Sequence, residues 1–350
     1  MKEWIVDQKQ AGGRIDKFLK ARLKEAPDSF FYKMARKKNL TLNGQKCKGN
    51  EILKEGDEIR LYVSDATIAL FEGSAGKDTD EYFSAYKNLA GVRVLKETDD
   101  LVFLYKPSGI LSQKAKESDE SLNEWLVGYL LQNCKITKEE LKTFVPSVLN
   151  RLDRNTSGIV IGGKTLRGSR FGSKLLKDGI VRKFYYCITD ADDFGKIKTS
   201  QKTDETGRIL LCGYLLKDET LNKVKIYRTE DAVPESKSKD AKAVSISVKE
   251  LSRKEKYSLL EVELHSGKSH QIRALLSEYK APISGDLKYG KEGLNNNRRM
   301  PSDSPDSFGQ LLCASRVEIP KEAAFNEPWM EEYKGISVEY IPDFAKDYIS

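Results

Sequence analysis

The sequence has 350 residues, of which 60 are Lys or Arg and 53 are Asp or Glu, so the formal net charge is +7. A chain of this length is enough for about two domains with full hydrophobic cores, which excludes a miniprotein held together by disulfides. The charge is uneven, since residues 12–63 carry a net +6 and residues 321–350 a net −4. A basic surplus indicates a polyanionic partner, but a solvated lysine-rich surface has the same composition, so charge alone leaves both open.

No stretch of the sequence is apolar over the ~18 residues that a membrane span needs, and the first residues lack the apolar segment of a signal peptide. We therefore expect a soluble, cytoplasmic protein with no membrane partner. The five cysteines are odd in number and far apart, which indicates reduced thiols rather than a disulfide framework or a zinc site. The two histidines are His265 and His270, and so small a number disfavours catalytic triads and multi-histidine metal centres.

Residues 12–65 are predicted to form a small α/β module. Apolar residues recur at helical spacing in GGRIDKFLKARL, and a second short helix is expected over FFYKMARKKN. Asn43-Gly44 is a hairpin signal, and an alternating strand is expected from Glu58 to Val63. Both helices carry basic residues on their polar sides, and the candidate RNA-binding residues are Arg14, Lys17, Arg36, Lys37 and Lys38.

This order of elements resembles the S-four-like RNA-binding module that occurs in ribosomal proteins and in several RNA-modifying enzymes. The resemblance implies that the module docks on RNA. A basic small domain with no role in RNA binding is the alternative.

The remainder of the chain divides into three predicted parts. Residues 66–90 lose the basic bias and lack clear periodicity, which is typical of a linker. Residues 91–320 are predicted to form the catalytic domain, and residues 321–350 an acidic C-terminal tail. The catalytic domain contains three predicted helices, at residues 122–132, 166–177 and 271–279, and eight predicted strands: VRVLKE, LVFLYK, GIVIGG, KFYYCIT, ILLCGYLL, AVSISVKEL, SLLEVELH and LLCASRVEI. Many strands without βαβ alternation predict an α+β fold with a mixed, largely antiparallel sheet.

Residues Gly158 to Thr165 satisfy the phosphate-loop pattern G-x-x-x-x-G-K-[ST]. A phosphate loop needs a buried strand before it and a turn whose N–H groups converge on an anion. Here the intervening residues Ile-Val-Ile-Gly favour a strand, and the preceding segment is polar. We interpret the pattern as a chance match, and a P-loop nucleotide hydrolase is kept as an alternative function.

The segment just before this strand carries the first candidate for chemistry. Asp153 lies between Arg151 and Arg154, and the Asn-Thr-Ser-Gly turn follows. Neighbouring cations favour the charged form of a carboxyl group, and a carboxylate is a possible nucleophile. A surface salt-bridge cluster explains the charges equally well, so the spacing leaves both open.

Further motifs make the sequence recognisable. Arg151-Leu152-Asp153 followed by Thr156-Ser157-Gly158 resembles the signature of the RluA-type pseudouridine synthases, which isomerise uridine in RNA. In the expected order, the chain also has Lys106-Pro107-Ser108-Gly109, Lys183-Phe184-Tyr185, Ser266-Gly267-Lys268-Ser269-His270-Gln271-Ile272-Arg273, and then Asp286 and Tyr289-Gly290. With the S-four-like module, the resemblance covers roughly residues 12 to 320.

The resemblance implies a role for each motif residue. Asp153 is the catalytic carboxylate, which either attacks the anomeric carbon or abstracts a sugar proton. Tyr185 stacks on the target base and assists loss of the proton from carbon 5, and Arg273 pairs with Asp153. The implied substrate-binding residues are Arg151, Arg154, Thr156, Lys106, Lys183, His270 and Gln271. Arg151 is the candidate to fill the space that a flipped uridine leaves. The isomerisation needs no cofactor and no metal.

Three residues depart from the commonest family pattern. Asn150 and Cys313 stand where a histidine is usual, and Lys268 stands where an arginine is usual. The departures leave the catalytic candidates intact, so activity is still expected, and the fine substrate preference is the property that they put in question. A basic run beside the site is a candidate track for phosphates, with a solvated helix face as the alternative: Lys164, Arg167, Arg170, Lys174, Lys177, Arg182 and Lys183.

The combination of the two parts resembles synthases that act on large-subunit ribosomal RNA. We therefore expect an RNA partner, most simply large-subunit rRNA, and a monomeric enzyme. A non-catalytic RNA-binding or ribosome-assembly factor is a third possibility, against which the intact Asp153, Tyr185 and Arg273 count.

Overall fold

The computed structural model of the chain describes residues 1–72, 79–218, 223–290 and 309–349. The centre of the predicted linker, residues 73–78, lies outside the described residues. Among the described helices, none is long and apolar enough to cross a membrane.

The amino-terminal module is a four-stranded antiparallel sheet covered by helices, with strand order β1-β4-β2-β3. Its elements are β1 (Lys2–Ile5), α1 (Ile15–Arg22), α2 (Asp28–Arg36), β2 (Leu40–Leu42), β3 (Gln45–Lys46), β4 (Glu58–Leu61) and α3 (Asp65–Glu72). The β2–β3 hairpin turns at Asn43 and Gly44, which both have positive φ, as the sequence predicts. Strand β1 precedes the predicted module and extends its sheet, because it pairs with β4.

The larger domain, which the sequence predicts to be the catalytic domain, is built around one large mixed sheet. Its elements are α4 (Asp80–Asn88), β5 (Arg93–Glu97), β6 (Leu101–Lys106), α5 (Leu122–Gln132), α6 (Lys138–Leu141), β7 (Ser147–Val148), β8 (Ser157–Gly163), α7 (Leu166–Lys177), β9 (Arg182–Asp190), α8 (Ala191–Ser200), β10 (Ile209–Asp218), β11 (Lys223–Tyr227), β12 (Lys242–Lys254), β13 (Tyr257–Leu264), α9 (Gln271–Glu278), β14 (Leu312–Glu318), β15 (Ser337–Glu339) and α10 (Asp343–Ile349). Short 3-10 helices lie at Glu235–Asp240 and Pro328–Tyr333.

The strand order is β11-β10-β12-β13-β9-β14-β8-β6-β5, with β15 paired to β14 and β7 paired to β8. The β14–β8 pair is parallel, and the other pairs among these strands are antiparallel. The eight predicted strands and three predicted helices of this domain are all present. The largest core cluster packs α5 and α9 against one face of the sheet.

Two boundaries drawn from the sequence need correction. Within the predicted linker of residues 66–90, α4 packs on α5 through the buried Tyr82 and Ala85, so α4 is part of the catalytic domain. Helix α3 instead continues the amino-terminal module, where Ile68 joins the core.

The predicted tail, residues 321–350, is also packed where it is described. Tyr333 is buried against Phe171 of α7, and Val338 pairs with Val317 in the sheet. Most acidic residues of this segment are exposed to solvent, while its apolar residues pack into a second core cluster.

The module rests on α7 of the catalytic domain. The Arg170 guanidinium donates a hydrogen bond to the Gly12 carbonyl, and Lys9 lies 3.3 Å from Glu140. A cavity of about 470 Å³ lies along this contact. Some of the charged side chains that line it pair with one another, as Lys164 does with Glu97 at 2.6 Å.

The seam between β8 and β14 fixes the position of the loop before β8. Gly158 has φ +118°, and a Cβ on it would lie 2.3 Å from the Ala314 carbonyl oxygen and 2.4 Å from the Ala314 nitrogen. Only glycine allows this approach, which brings Ser157 beside Cys313 in parallel register.

Gly158→Ala is therefore expected to destabilise the protein by about 2–4 kcal/mol, through the clash with β14 and the positive φ. Urea unfolding followed by circular dichroism measures the change. Gly195→Ala is the matched control, because Gly195 lies within α8, where an added Cβ would meet nothing within 4 Å, and alanine in a helix is neutral or stabilising. Equal stability of the two variants would contradict the role given to the seam.

Candidate active site

The candidate site is built on the loop between β7 and β8, which carries Asp153. The Thr156 N–H donates to the Asp153 carbonyl at 3.0 Å and closes a tight turn. The Asn150 side-chain oxygen accepts from the Ile161 N–H of β8 at 2.8 Å. Asn150, which departs from the usual histidine, thus ties the start of the loop to the strand that follows it.

A second loop, residues 106–112, holds the Asp153 loop through hydrogen bonds to its main chain. The Gly109 N–H donates to the Arg154 carbonyl at 2.8 Å, and the Ser108 hydroxyl donates to the Asn155 carbonyl at 2.9 Å. The Ser112 hydroxyl accepts from the Leu152 N–H and donates to the Leu152 carbonyl. Because these bonds bracket Asp153 on both sides, its backbone is fixed before substrate arrives.

Lys106 is the centre of this bracing. Its ammonium group is fully buried and donates to the carbonyls of Pro107, Ile110 and Arg154, at 2.9, 2.8 and 3.1 Å. Three acceptors match the three donors of an ammonium group. Burial lowers the pKa of Lys106 to about 7, and the charge of Asp153 opposes part of that shift. The structure therefore places Lys106 under the loop, whereas the family resemblance implied a contact with substrate.

The cation that holds the Asp153 carboxylate comes from α9. Arg273 donates through Nη1 to Asp153 Oδ2 at 2.8 Å. Its other edge binds the fully buried Asp286 in bidentate fashion, at 2.7 and 2.9 Å. Burial opposes the charges of both partners, yet their hydrogen bonds raise the pKa of Arg273 and lower the pKa of Asp286. The flanking Arg151 and Arg154 do not fill this role: Arg151 is exposed, and Arg154 Nε donates to the Gly109 carbonyl.

His270 and Tyr289 form the adjoining wall of the site. His270 precedes α9 in a left-handed conformation, with φ 57°. Its Nε2 lies 3.8 Å from Asp153 Oδ2, and its Nδ1 lies 2.9 Å from the Tyr289 hydroxyl. Burial lowers the pKa of His270, an effect that Asp153 opposes and Arg273 reinforces, and the lowered pKa favours the neutral imidazole.

Tyr185 lies on β9, between Val262 of β13 and Ala314 of β14. It is buried in the large core cluster. Burial raises the pKa of its phenol and the charge of Asp153 raises it further, so the hydroxyl is protonated at neutral pH. Lys183 lies two residues earlier, on the same face of the strand, and burial lowers the pKa of its ammonium group.

A cleft of about 230 Å³ opens at Asp153. Its charged and polar lining includes Asp153, Arg154, His270, Arg273 and Lys288. Leu287 also lines the cleft with 77% of its surface exposed, an apolar rim next to the carboxylate. Among the described residues, no group of His, Cys, Asp or Glu side chains is arranged to hold a metal ion.

Two predicted substrate-binding residues are buried and bonded within the protein. The Thr156 hydroxyl accepts from the Gln310 amide at 2.8 Å. Gln271 donates to the Ser245 carbonyl and accepts from Ser266, at 3.0 and 2.7 Å. Both side chains therefore shape the walls of the site. Asp286 and Tyr289 were part of a recognised motif but were given no role, because the sequence does not show which of its polar residues turn inward.

The residues of the phosphate-loop pattern form a strand and the start of a helix instead of a phosphate loop. Its first residues lie within β8, and Thr165 caps α7 by accepting from the Gly168 N–H. The buried Asp100 occupies the helix start, where it accepts hydrogen bonds from Thr165 and Arg167. A protein carboxylate thus takes the place where a phosphate would bind, which argues against the nucleotide hydrolase.

The basic run near the site is likewise used within the protein. Lys164 pairs with Glu97, Arg167 with Asp100, and Lys174 with Asp178. Arg182 pairs with Glu263. The run does not form a continuous phosphate track, because intramolecular acceptors neutralise most of its members.

Comparison with known proteins decides the family. A family model described as RNA pseudouridylate synthase matches residues 100–278, just over half of the chain. The chain belongs to the RNA pseudouridylate synthase family. It is therefore an isomerase that converts uridine to pseudouridine in RNA, and the prediction of this enzyme class is confirmed.

Relatives of this family resemble the chain over nearly its whole length. Ribosomal large subunit pseudouridine synthase C of Vibrio parahaemolyticus is 25% identical over 93% of this chain and 90% of its own. A protein of Mycoplasma genitalium named uncharacterized RNA pseudouridine synthase is 28% identical over 95% and 93%. The solved structure of human RNA pseudouridylate synthase domain containing 4 has a TM-score of 0.52 at 18% identity, covering 76% of this chain and 94% of its own. This likeness supports the predicted α+β fold.

Lys106→Met tests the bracing of the Asp153 loop in the pseudouridine synthase. Three buried carbonyls lose their donor, so we expect a loss of about 2–4 kcal/mol in the free energy of unfolding. The displaced carboxylate lowers kcat about 10- to 100-fold, with a smaller change in KM.

Lys174→Met is the control, because this side chain is 68% exposed and its removal costs about 0.5 kcal/mol or less. A Lys106→Met variant with normal kcat would show that the loop does not need the ammonium group.

Proposed function

We propose that Asp153 is the catalytic carboxylate of this synthase. The observation that carries the proposal is the chain of ionic contacts from the buried Asp286 through Arg273 to Asp153. Of these three side chains Asp153 is the most exposed, at 23%, and it lines the cleft. Arg273 orients the carboxylate by binding one of its oxygens, and the cleft gives a substrate access to the group.

The reaction breaks the bond between ribose and the ring nitrogen of uracil, turns the base and rejoins it through carbon 5. Asp153 either forms a bond to the anomeric carbon and releases it later, or removes a proton from the neighbouring sugar carbon. Both routes keep all atoms of the nucleoside in the site, apart from the proton that leaves carbon 5. A cleft with fixed walls suits such a reaction, since the detached base must stay beside the sugar.

Tyr185 is proposed to pack against the uracil ring. Burial raises the pKa of the Tyr185 phenol, so the phenolate that could remove the carbon 5 proton is scarcely populated at neutral pH, and stacking suits this side chain better. Arg151 is proposed to enter the space that the flipped uridine vacates, because its exposed guanidinium can stack and donate hydrogen bonds at once. Flipping costs a few kcal/mol for a paired base and less in a loop.

The proposed substrate is large-subunit ribosomal RNA, in the cytoplasm, with the enzyme acting as a monomer. The name of the Vibrio parahaemolyticus relative supports this substrate. The basic amino-terminal module also supports it, because a second RNA contact on the same chain suits a large structured target through effective concentration.

The catalytic proposal is tested with large-subunit rRNA transcripts and carbodiimide-dependent reverse-transcription stops. Wild-type protein should produce new stops, and Asp153→Asn should produce none while binding the transcript with similar affinity. Lys164→Ala should keep the activity, since Lys164 pairs with Glu97 away from the cleft.

Stops that persist in Asp153→Asn would refute the assignment of the carboxylate. Nucleotide hydrolysis that is lost in Lys164→Ala would instead favour the P-loop enzyme, and tight binding by wild type without stops would favour a non-catalytic factor.

The role of the module is tested by charge removal. Arg36 and Lys37 are exposed at the end of α2, so Arg36→Gln with Lys37→Gln should weaken binding to rRNA. The slope of log affinity against log salt should fall by about 0.7–0.9 for each phosphate contact that is lost.

The control is Lys237→Gln with Lys239→Gln, which removes the same charge from an exposed segment of the catalytic domain. An equal loss of slope in both double variants would show that net charge, and not the module, determines binding.

A further inference from the structure

The proton positions around Tyr289 can be assigned from its contacts. The Val224 N–H donates to the Tyr289 hydroxyl oxygen at 2.9 Å, because a backbone N–H can only be a donor. The same hydroxyl lies 2.9 Å from His270 Nδ1. A phenol has one proton. Because the hydroxyl oxygen already accepts from Val224, we assign this proton to the hydrogen bond with His270 Nδ1.

This arrangement fixes the tautomer of His270. With Nδ1 as an acceptor, the neutral imidazole carries its proton on Nε2. The groups that surround the ring act on its charge in opposite directions: Asp153 and Asp286 favour the protonated form, while Arg273, Lys288 and burial disfavour it. Tyr289 thus directs the Nε2–H of a neutral ring toward the Asp153 carboxylate.

The Nε2–H does not form a hydrogen bond with that carboxylate. The distance from Nε2 to Asp153 Oδ2 is 3.8 Å, which exceeds the 2.7–3.2 Å of an N–H···O hydrogen bond. Both His270 and Asp153 line the cleft. The two side chains therefore present a donor and an acceptor, side by side, to one group of the substrate.

We propose that His270 and Asp153 together recognise the ribose 2′-hydroxyl of the target uridine, which accepts from Nε2–H and donates to the carboxylate. A hydroxyl is both donor and acceptor, as this pair of groups requires. Each polar group of uracil has one role only, since its carbonyls accept and its N3–H donates, so none of them alone can pair with both the Nε2–H and the carboxylate. The inference rests on the proposed role of Asp153, because a carboxylate that acts at the anomeric carbon has the 2′-hydroxyl as a neighbour. His270 is then a specificity-determining residue that distinguishes RNA from DNA.

The first test compares a stem-loop that the wild-type enzyme modifies with the same stem-loop carrying 2′-deoxyuridine at the target. The ratio of kcat/KM for the two substrates is measured in wild type and in His270→Asn. Asparagine tolerates the positive φ of this position, but its shorter side chain cannot make the contact. We expect the preference for uridine to fall about tenfold in His270→Asn.

The comparison of ratios cancels the electronic effect of the 2′-oxygen on the chemistry, which is common to both proteins. A ratio that is unchanged in His270→Asn, with both substrates slowed equally, would overturn the inference while leaving the enzyme activity established. Absence of any modification by wild type would refute the proposed function instead.

The second test does not depend on activity. The chain has only two histidines, so a ¹⁵N-histidine spectrum contains two rings, and His270→Asn assigns them. We expect His270 to be the Nε2–H tautomer at pH 7, and Tyr289→Phe to shift it toward a mixture. A dominant Nδ1–H tautomer in wild type would overturn the inference.

Discussion

The guanidinium of Arg273, shared between two carboxylates, is the interaction on which the candidate site depends. Asp286 is fully buried and would be strongly destabilising without a cation and hydrogen bonds. It receives both from Arg273 and from the N–H groups of Lys288 and Tyr289, at 2.9 and 3.0 Å. Because Asp286 occupies two of the guanidinium donors, the remaining edge is oriented toward Asp153. The same carboxylate therefore orders the arginine, the catalytic candidate and the loop that carries Tyr289.

The other side of Asp153 is held in a different way, by hydrogen bonds to the main chain. Lys106, Ser108 and Ser112 all reach carbonyl or N–H groups of the loop and leave its side chains available. Main-chain bracing of this kind places few demands on the side chains of the loop. Arg151 and Arg154 can then face the cleft or solvent, which is where a substrate contact must lie.

The sequence predicted the parts of the fold that have strong periodicity or pairing signals. The buried strand β8 and the amphipathic helix α7 were predicted at nearly their observed bounds. The short edge strands β1 and β11 were missed, since a few alternating residues at an edge carry little hydrophobic signal. Helix α4 was missed although its buried Tyr82 and Ala85 stand at helical spacing, because a nine-residue helix gives a weak periodic signal beside the polar stretch that precedes it. Its partner α5, whose Gly128 permits the close contact, is not visible in the local sequence.

The sequence likewise predicted some of the site residues and misassigned others. The motifs nominated Asp153 and Arg273, which the structure brings into contact. They also assigned Lys106, Thr156 and Gln271 to the substrate, although all three are buried and bonded to protein groups. A polar residue in a motif has two physical uses, to contact substrate or to satisfy a buried polar group. Sequence alone cannot separate them, because the choice depends on which atoms from distant segments surround the side chain.

The same distinction bears on where RNA can be held. Arg167 of α7 pairs with Asp100, and Arg170 donates to the Gly12 carbonyl of the amino-terminal module, so these two arginines are held within the protein and are not free to reach a phosphate. We infer that the attraction for phosphates is divided between the exposed end of α2 and the rim of the cleft, where Arg154 and Lys288 lie. Two separated basic surfaces favour an RNA that can reach both at once, and a small isolated hairpin would engage them only one at a time.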